Sequence, residues 1–308
     1  MSAQRGVLGT VSKFIALSAV AGVLGVAIAA PSLVVGGFFF STGISVFENL
    51  PDYIKPVNGS DASTIYAKQN GQDVKIATFY EENRVSIPFD QMSPNIVNAV
   101  VATEDPRFWE HGGVDVISLF RATLTNVLQG GGGPGGSTIT MQYVKNSLVE
   151  AAVLSGNKQA ISDATAVTID RKLREMRLAI ALEKVQSKQD ILAGYLNLSF
   201  FGNQINGIEA ASNYYYGIHA KDLSIEQAAM LAAMLKSPND YKPDDKANLG
   251  RAKDRRDYVI QNMYEAGYIS GDEASRAKGT PIEVNLQHTP SGCEADQSTA
   301  FFCDFVVW

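Results

Sequence analysis

The chain contains little of what several protein classes require. In 308 residues it has 2 cysteines and 3 histidines, no C-x-x-C pair, and histidines that are far apart in the sequence. A zinc site built from clustered cysteine and histidine is therefore not expected. The formal net charge is −6, which argues against general nucleic-acid binding because such proteins carry an excess of basic residues. With 45% hydrophobic and 19% charged residues, the composition is that of a folded globular protein.

One long segment near the N-terminus lacks charge altogether. No charged side chain occurs from Phe14 to Phe40, and about 20 apolar residues suffice to span a bilayer. Basic residues precede the segment, so the positive-inside rule puts residues 1–13 in the cytoplasm and the remainder outside. The small-x-small sequence Ala27–Ala29 allows a cleaved signal peptide instead. Because apolar residues continue well beyond it, we favour an uncleaved membrane anchor over 14–40.

Either alternative places the two cysteines, Cys293 and Cys303, outside the cytoplasm. Disulfides persist in such compartments, so we predict a bond between them, with two free thiols as the alternative.

β structure is expected only in the linker and hairpin region, residues 41–92. Thr64–Tyr66 and Val74–Phe79 flank Asn70-Gly71, a pair typical of two-residue hairpin turns. Val85–Phe89 is predicted to add a strand. From Ser93 onward the apolar spacing is helical, and the signals for helix starts include Ser93-Pro94, Ser187-x-x-Asp190, Ser224-x-x-Gln227 and Ser270-x-x-Glu273. The sequence therefore predicts a mainly α protein.

Candidate chemistry concentrates between Ala102 and Asn146. Glu104 ends a predicted helix, beside Phe108 and His111, and a carboxyl group with apolar neighbours is suited to acid–base catalysis near neutral pH. A surface turn in which Asp105 merely caps a helix is the alternative.

A glycine-rich segment, Gly130–Gly136, follows in the sequence. It lacks the lysine of a phosphate-binding loop, which leaves a flexible gate or a plain linker.

Further along, basic and polar side chains recur at helical spacing. Thr138, Gln142 and Lys145 share one face of a predicted helix, and Arg171, Lys172 and Glu175 lie together on another. With Ser137, these basic groups could bind a diphosphate through charge-assisted hydrogen bonds. A solvated helix face, with Arg171 and Glu175 as an ordinary ion pair, is the alternative.

Five segments of the chain resemble, in order, the motifs of a known family, and this resemblance favours the catalytic interpretation of the residues above over the structural one. They are E-D-x-x-F-x-x-H-x-G (Glu104–Gly113), GGSTITMQYVKN (Gly135–Asn146), RKLRE (Arg171–Glu175), GYLNLSFFGNQINGIEAASNYYYG (Gly194–Gly217) and LSIEQAAMLAAMLKSPNDYKP (Leu223–Pro243). They resemble, in order, the five motifs of the peptidoglycan glycosyltransferases, the N-terminal catalytic domain of class A penicillin-binding proteins. The match covers about Ile87–Lys278. The C-terminal FFCDFVVW is, in addition, similar in style to actinobacterial sequences.

The resemblance implies a lysozyme-like α-helical fold with a smaller lobe that touches the membrane. It implies polymerisation of lipid II, with the general base at Glu104, the second catalytic glutamate at Glu175, inversion at the sugar and release of undecaprenyl diphosphate. The substrate-binding residues it implies are Asp105, Phe108, His111, Ser137, Thr138, Gln142, Lys145, Asn146, Arg171 and Lys172. No cofactor is required, although a divalent cation, Mg or Mn, is compatible with it. The expected partners are lipid II, the growing glycan strand, the membrane and cell-wall synthesis proteins, and not nucleic acid.

Two positions depart from the family. Its double glutamine is Met141-Gln142 here, and its arginine eight residues before the third-motif glutamate is Val167. A diphosphate contact is therefore either missing or supplied by another residue, for which Arg171 is the candidate.

The domain organisation follows from the resemblance as well. We expect the glycosyltransferase domain at 93–280 and the start of a linker to an absent transpeptidase domain at 281–308, so this chain should not bind β-lactams covalently. The alternatives are a monofunctional enzyme, a lytic hydrolase of the same fold, and a non-catalytic scaffold.

Overall fold

A computed structural model describes residues 56, 59, 63–79, 83–129, 135–287, 292–293 and 300–307. The predicted cytoplasmic tail, the membrane anchor, most of the linker before residue 63 and residues 130–134 of the glycine-rich segment lie outside these residues. Within the described ranges, no helix has the length and apolar character needed to cross a bilayer.

The predicted hairpin is confirmed. Strands β1 (Ser63–Gln69) and β2 (Gln72–Phe79) pair in antiparallel fashion. Asn70 and Gly71 connect them with φ angles of 52° and 82°. A turn of this kind needs positive φ at both central residues, which asparagine and glycine adopt more readily than other residues.

The predicted strand Val85–Phe89 is wrong. Residues 85–88 have no regular structure, and a 3₁₀ helix follows at Phe89–Gln91. The Asn197 side chain accepts from the Ile87 N–H at 3.2 Å and donates to the Ile87 carbonyl at 2.9 Å, while Pro88 has no N–H to donate. An amide side chain thus takes the place of a neighbouring strand. The strands nearby are β3 (Asn83–Arg84) and β4 (Ile205–Asn206), which pair in parallel fashion.

The remaining regular structure is helical, so the mainly α class is confirmed. The helices are α1 (Pro94–Glu104), α2 (Val116–Gln129), α3 (Ile139–Leu154), α4 (Lys158–Thr165), α5 (Ile169–Leu182), α6 (Lys188–Leu198), α7 (Ile208–Tyr216), α8 (Ile225–Met234), α9 (Pro238–Tyr241), α10 (Leu249–Glu265), α11 (Gly271–Gly279) and α12 (Ala300–Val307). Serine caps begin α1, α6, α8 and α11, each accepting a backbone N–H through its hydroxyl. The lysozyme-like arrangement and the domain limits 93–280 stay predictions.

Helix α8 lies at the centre of the core. Its residues 228–234 are at most 1% exposed, and it packs against α1 and α10. A helix that is apolar all round is stable only when it is enclosed by its neighbours. Helix α1 buries Ile96, Val97, Val100 and Val101. This packing fixes the C-terminal end of α1, and with it Glu104, at the edge of the core.

Helix α2 differs, because part of its apolar stripe faces outward. Ile117, Phe120 and Leu124 are 54%, 71% and 49% exposed. These three side chains are not enclosed by the core.

Candidate active site

A cleft of about 540 Å³ opens at the C-terminal end of α1. Helices α3, α5 and α10, the segment just before α3 and the segment after α8 form the rest of its lining. The predicted site residues along it are Glu104, Ser137, Gln142, Lys145, Arg171, Lys172 and Glu175. Because the segment after α8 belongs to the fifth motif, the fold brings four of the five sequence motifs together around one space.

Glu104 is the last residue of α1 and is held from two sides. Gln142 Nε2 donates to its Oε2 at 3.0 Å, and Arg255 Nη2 lies 3.9 Å from its Oε1. The side chain is 18% exposed, so it reaches the cleft while its position is restrained. Its immediate partners are an amide and a guanidinium rather than the apolar neighbours that the sequence suggested.

The amide of Gln142 has a second partner behind it. The Tyr195 hydroxyl on α6 donates to Gln142 Oε1 at 3.1 Å. Tyr195 is 2% exposed, and burial, with the negative charge of Glu104 adding to it, raises the pKa of this phenol well above its usual value. The phenol therefore keeps its proton.

The opposite wall, on α5, is cationic around a buried carboxylate. Glu175 is 3% exposed, forms an ion pair with Arg171, and has Lys172 Nζ 3.8 Å from its Oε2. Lys172 also donates to the Ser137 hydroxyl. Burial lowers the pKa of Lys172, although the charge of Glu175 opposes that effect. The lining of this wall is thus suited to an anionic group.

The other predicted substrate-binding residues do not line the cleft. Asp105 is buried, accepts from His111 Nε2 at 2.9 Å and accepts from the Ile139 N–H at 3.0 Å. Phe108 is fully buried in the core. Thr138 caps α3 and donates to the Gly113 carbonyl. These side chains hold the framework in place, and Asn146 is also absent from the lining.

The two departures from the family have different surroundings. Met141 is 1% exposed, whereas Val167 is 98% exposed and lies just before the cap of α5. Arg171 does line the cleft, so its position is compatible with a role in place of the family arginine that is Val167 here.

The structure adds residues that sequence reasoning missed. Lys236, Arg255 and Tyr258 line the cleft, and the Arg255 guanidinium lies 4.8 Å from the centre of the Tyr258 ring. Lys236 belongs to the fifth motif segment, which was a usable signal. Arg255 and Tyr258 lie in a charged helix whose pattern predicts only its secondary structure.

Two Ser-x-x-Lys tetrads, the spacing of a transpeptidase nucleophile, occur at Ser155–Lys158 and Ser275–Lys278. Neither serine lines the cleft. Ser155 Oγ donates to the Ala152 carbonyl and Ser275 Oγ to the Gly271 carbonyl. Each hydroxyl is thus engaged by its own helix.

The described residues contain no group of three or more His, Cys, Asp and Glu side chains arranged to hold a metal ion. The two carboxylates of the cleft, Glu104 and Glu175, already face amide or basic partners. This donor set does not fit a resident divalent cation.

Comparison with known proteins agrees with the geometry. The transglycosylase family pattern matches residues 72–264. Penicillin-binding protein 1F of Bacillus subtilis is 38% identical over 73% of this chain and 29% of its own length. Penicillin-binding protein 1A of Aquifex aeolicus is 34% identical over 87% of this chain and 34% of its own length. Penicillin-binding protein 1A of Streptococcus oralis is 37% identical over 75% of this chain and 34% of its own length. The chain thus spans about a third of the length of these relatives.

Among solved structures, penicillin-binding protein 1A of Haemophilus influenzae matches with a TM-score of 0.41 and 19% identity, over 76% of this chain and 22% of that one. The actinobacterial resemblance stays a prediction.

The family match covers most of the described chain and contains every side chain that lines the cleft. The chain therefore belongs to the transglycosylase family and contains the peptidoglycan glycosyltransferase domain of a class A penicillin-binding protein.

Proposed function

We propose that the chain polymerises lipid II into glycan strands by inverting glycosyl transfer. The observation that carries this proposal is the placement of Glu104 in one cleft with Lys145, Arg171 and Lys172. A carboxylate base and a cationic wall in the same space are what a reaction between a sugar hydroxyl and a sugar diphosphate requires.

In the proposed reaction, Glu104 removes the proton from the 4-hydroxyl of the acceptor GlcNAc. The acceptor oxygen attacks C1 of the donor MurNAc from the face opposite the diphosphate. The bond between C1 and the diphosphate oxygen breaks, and undecaprenyl diphosphate leaves with that electron pair. The anomeric centre is inverted, as in glycosidases that work by direct displacement. The proton ends on Glu104.

The α5 wall would stabilise the charge that develops on the leaving group. Arg171 and Lys172 line the cleft beside Ser137, and cationic donors fixed in advance lower the barrier when they face developing negative charge. Glu175 holds both basic side chains in place. Since the donor set does not fit a resident metal, no step is assigned to one.

The proposed location is the outer face of the cell membrane, with residues 14–40 as a single-pass anchor. The exposed apolar side chains of α2, Ile117, Phe120 and Leu124, support contact between this part of the domain and the bilayer. The lipid chain of the substrate would then remain in the membrane while its sugars enter the cleft. Lipid II and the growing glycan strand are the partners we assign, with cell-wall synthesis proteins as further ones.

The test is incubation of the protein with labelled lipid II, followed by separation of the products by size. We expect long glycan strands from the wild-type protein. Glu104→Gln keeps the shape of the side chain but removes the base, so polymerisation should fall by about 100-fold or more. Glu110→Gln is the matched control, because Glu110 is 67% exposed in the same segment and should leave the rate unchanged.

Other results would contradict the proposal in distinct ways. Short cleavage products would indicate a lytic hydrolase, and an intact substrate would indicate a non-catalytic scaffold. Undiminished polymerisation by Glu104→Gln would remove the role assigned to this residue.

A further inference from the structure

Behind the proposed base lies a short chain of hydrogen bonds that reaches into the core. Glu104 Oε2 accepts from Gln142 Nε2 at 3.0 Å, and Gln142 Oε1 accepts from the Tyr195 hydroxyl at 3.1 Å. Three different helices supply the three residues: α1, α3 and α6. Tyr195 does not line the cleft, so any effect it has on the reaction must pass through Gln142.

The chemistry of the groups fixes the direction of this chain. An ionised carboxylate accepts hydrogen bonds and cannot donate them, so Gln142 must turn its NH₂ group towards Glu104. Its carbonyl oxygen then faces Tyr195, and two acceptors cannot bond to each other. The Tyr195 hydroxyl must therefore donate. A phenol that stays protonated is suited to this, and burial raises the pKa of Tyr195 well above its usual value.

The packing of α6 on α3 makes the contact possible. Gly194 precedes Tyr195, and a Cβ at that position would overlap the ring of Tyr143 on α3. The absence of a side chain lets the two helices approach closely. Tyr195 itself is enclosed by the core, so its hydroxyl has little freedom to turn elsewhere.

We infer that Tyr195 is a positioning residue for the base, because its hydroxyl anchors Gln142 Oε1 and thereby keeps Nε2 at hydrogen-bond distance from Glu104. Without that hydroxyl, the amide would lose its second partner, and the Gln142 side chain would be free to turn away from the carboxylate. The carboxylate would then lose its restraint on the side of Oε2. This inference rests on the proposed function for the role of Glu104.

The first test is steady-state kinetics of Tyr195→Phe with labelled lipid II. The substitution removes one oxygen and keeps the ring that fills the core. We expect kcat to fall by about 10-fold, the loss that one hydrogen bond accounts for, with KM within about 2-fold because no substrate contact is removed. Tyr215→Phe is the matched control, since its buried hydroxyl donates to the Phe201 carbonyl at 2.8 Å away from the cleft and kcat should not change.

A double-mutant cycle separates positioning from loss of structure. Gln142→Met is nearly isosteric, but its side chain cannot donate a hydrogen bond to Glu104 and so breaks the chain between Tyr195 and the base. In that background Tyr195→Phe should have no further effect on kcat, because the two residues act as one unit. Additive losses in the two backgrounds, an unchanged kcat for Tyr195→Phe, or a change confined to KM would each overturn the inference.

A second measurement does not depend on turnover. In protein labelled with ¹⁵N at glutamine, the Gln142 side-chain NH₂ should be protected from hydrogen exchange, and Tyr195→Phe should remove that protection. Equal protection in both proteins would overturn the inference even if both were inactive. A wild-type protein that fails to polymerise lipid II, with protection lost in Tyr195→Phe, would instead contradict the proposed function and leave the positioning supported.

Discussion

Lys172 is subject to two opposing demands. Its ammonium group is partly buried, and burial lowers the pKa of this lysine below its ordinary value of 10.5. The nearby Glu175 carboxylate, 3.8 Å away, works in the opposite direction but does not cancel the cost of burial. Folding therefore disfavours the same positive charge that the proposed diphosphate requires. Such a conflict is common where binding sites are formed at a cost in stability.

Lys172→Met should raise the melting temperature at neutral pH and weaken the binding of substrate. The unfolded chain binds a proton at this lysine more tightly than the folded one, so wild-type stability contains a penalty at neutral pH. That penalty disappears as the pH rises through the lowered pKa towards 10.5. The difference in melting temperature between variant and wild type should shrink over the same range. Thermal unfolding followed from pH 7 upward measures it.

The matched control is Lys253→Met, whose side chain is 53% exposed and pairs with Asp257. It should show no comparable gain. A Lys172→Met protein less stable than wild type at neutral pH would mean that the ion pair with Glu175 outweighs the burial of the charge.

At the scale of elements, Asp105 joins two helices that carry the site. It follows Glu104 at the end of α1, and its Oδ2 accepts from the Ile139 N–H at the start of α3. Its carboxylate also accepts from His111. A buried carboxylate with these partners is costly to remove because the donors are left unsatisfied. The contact with Ile139 thus links the helices that carry Glu104 and Gln142.

Asp105→Ala should destabilise the protein by about 1–3 kcal/mol, the cost of leaving buried polar groups unpaired. It should also lower kcat, because α1 and α3 lose the link that aligns the base with its amide partner. The midpoint of urea unfolding reports the first effect and lipid II turnover the second. Asp90→Ala, at an exposed position of the 3₁₀ helix, should change neither. Full activity in Asp105→Ala would show that the core alone aligns the two helices.

Helix starts were predictable because their causes are local. A serine that caps α8 or α11 bonds to a backbone N–H three residues later, and both partners are visible in a short stretch of sequence. The strand predicted at Val85–Phe89 failed for the opposite reason. Its backbone groups bond to Asn197, which no local pattern announces. Helix α12 was likewise missed, since its residues were interpreted as linker.

In the candidate site, too, local sequence features were predictable and contacts between distant residues were not. Glu104, Lys172 and Glu175, which motif resemblance singled out, line one cleft, but the resemblance did not separate lining residues from the framework. Asp105 and His111 belong to the same motif as Glu104, yet they bond to each other inside the protein. Arg255 contacts Glu104, and Tyr195 contacts Gln142, across helices that are distant in the sequence. Such contacts depend on helix packing, which the sequence pattern does not specify.

Across the whole molecule, the described residues form two separate apolar clusters. The large one surrounds α8 and extends from α1 to α11. The small one consists of Ala77, Cys293 and Cys303, with Ile65 and Phe79 packed against it. A disulfide joins the two cysteines and thereby attaches α12 to the short segment at Gly292 and Cys293. The Gly292 N–H donates to the Thr78 carbonyl at 2.8 Å, which adds a backbone contact at the same place.

Because the clusters share no member within the described ranges, they should respond separately to loss of the disulfide. Cys293→Ala with Cys303→Ala should destabilise the small cluster by about 2–3 kcal/mol, the entropic effect of closing a loop of this size. Amide hydrogen exchange should then accelerate in β2 and α12, while exchange in α8 and polymerisation of lipid II stay unchanged. Reduction of the wild-type protein should reproduce the pattern and exclude an effect of the substitutions themselves. Faster exchange throughout α8 would instead mean that both clusters unfold as one cooperative unit, and that the disulfide stabilises the cleft as well as the hairpin.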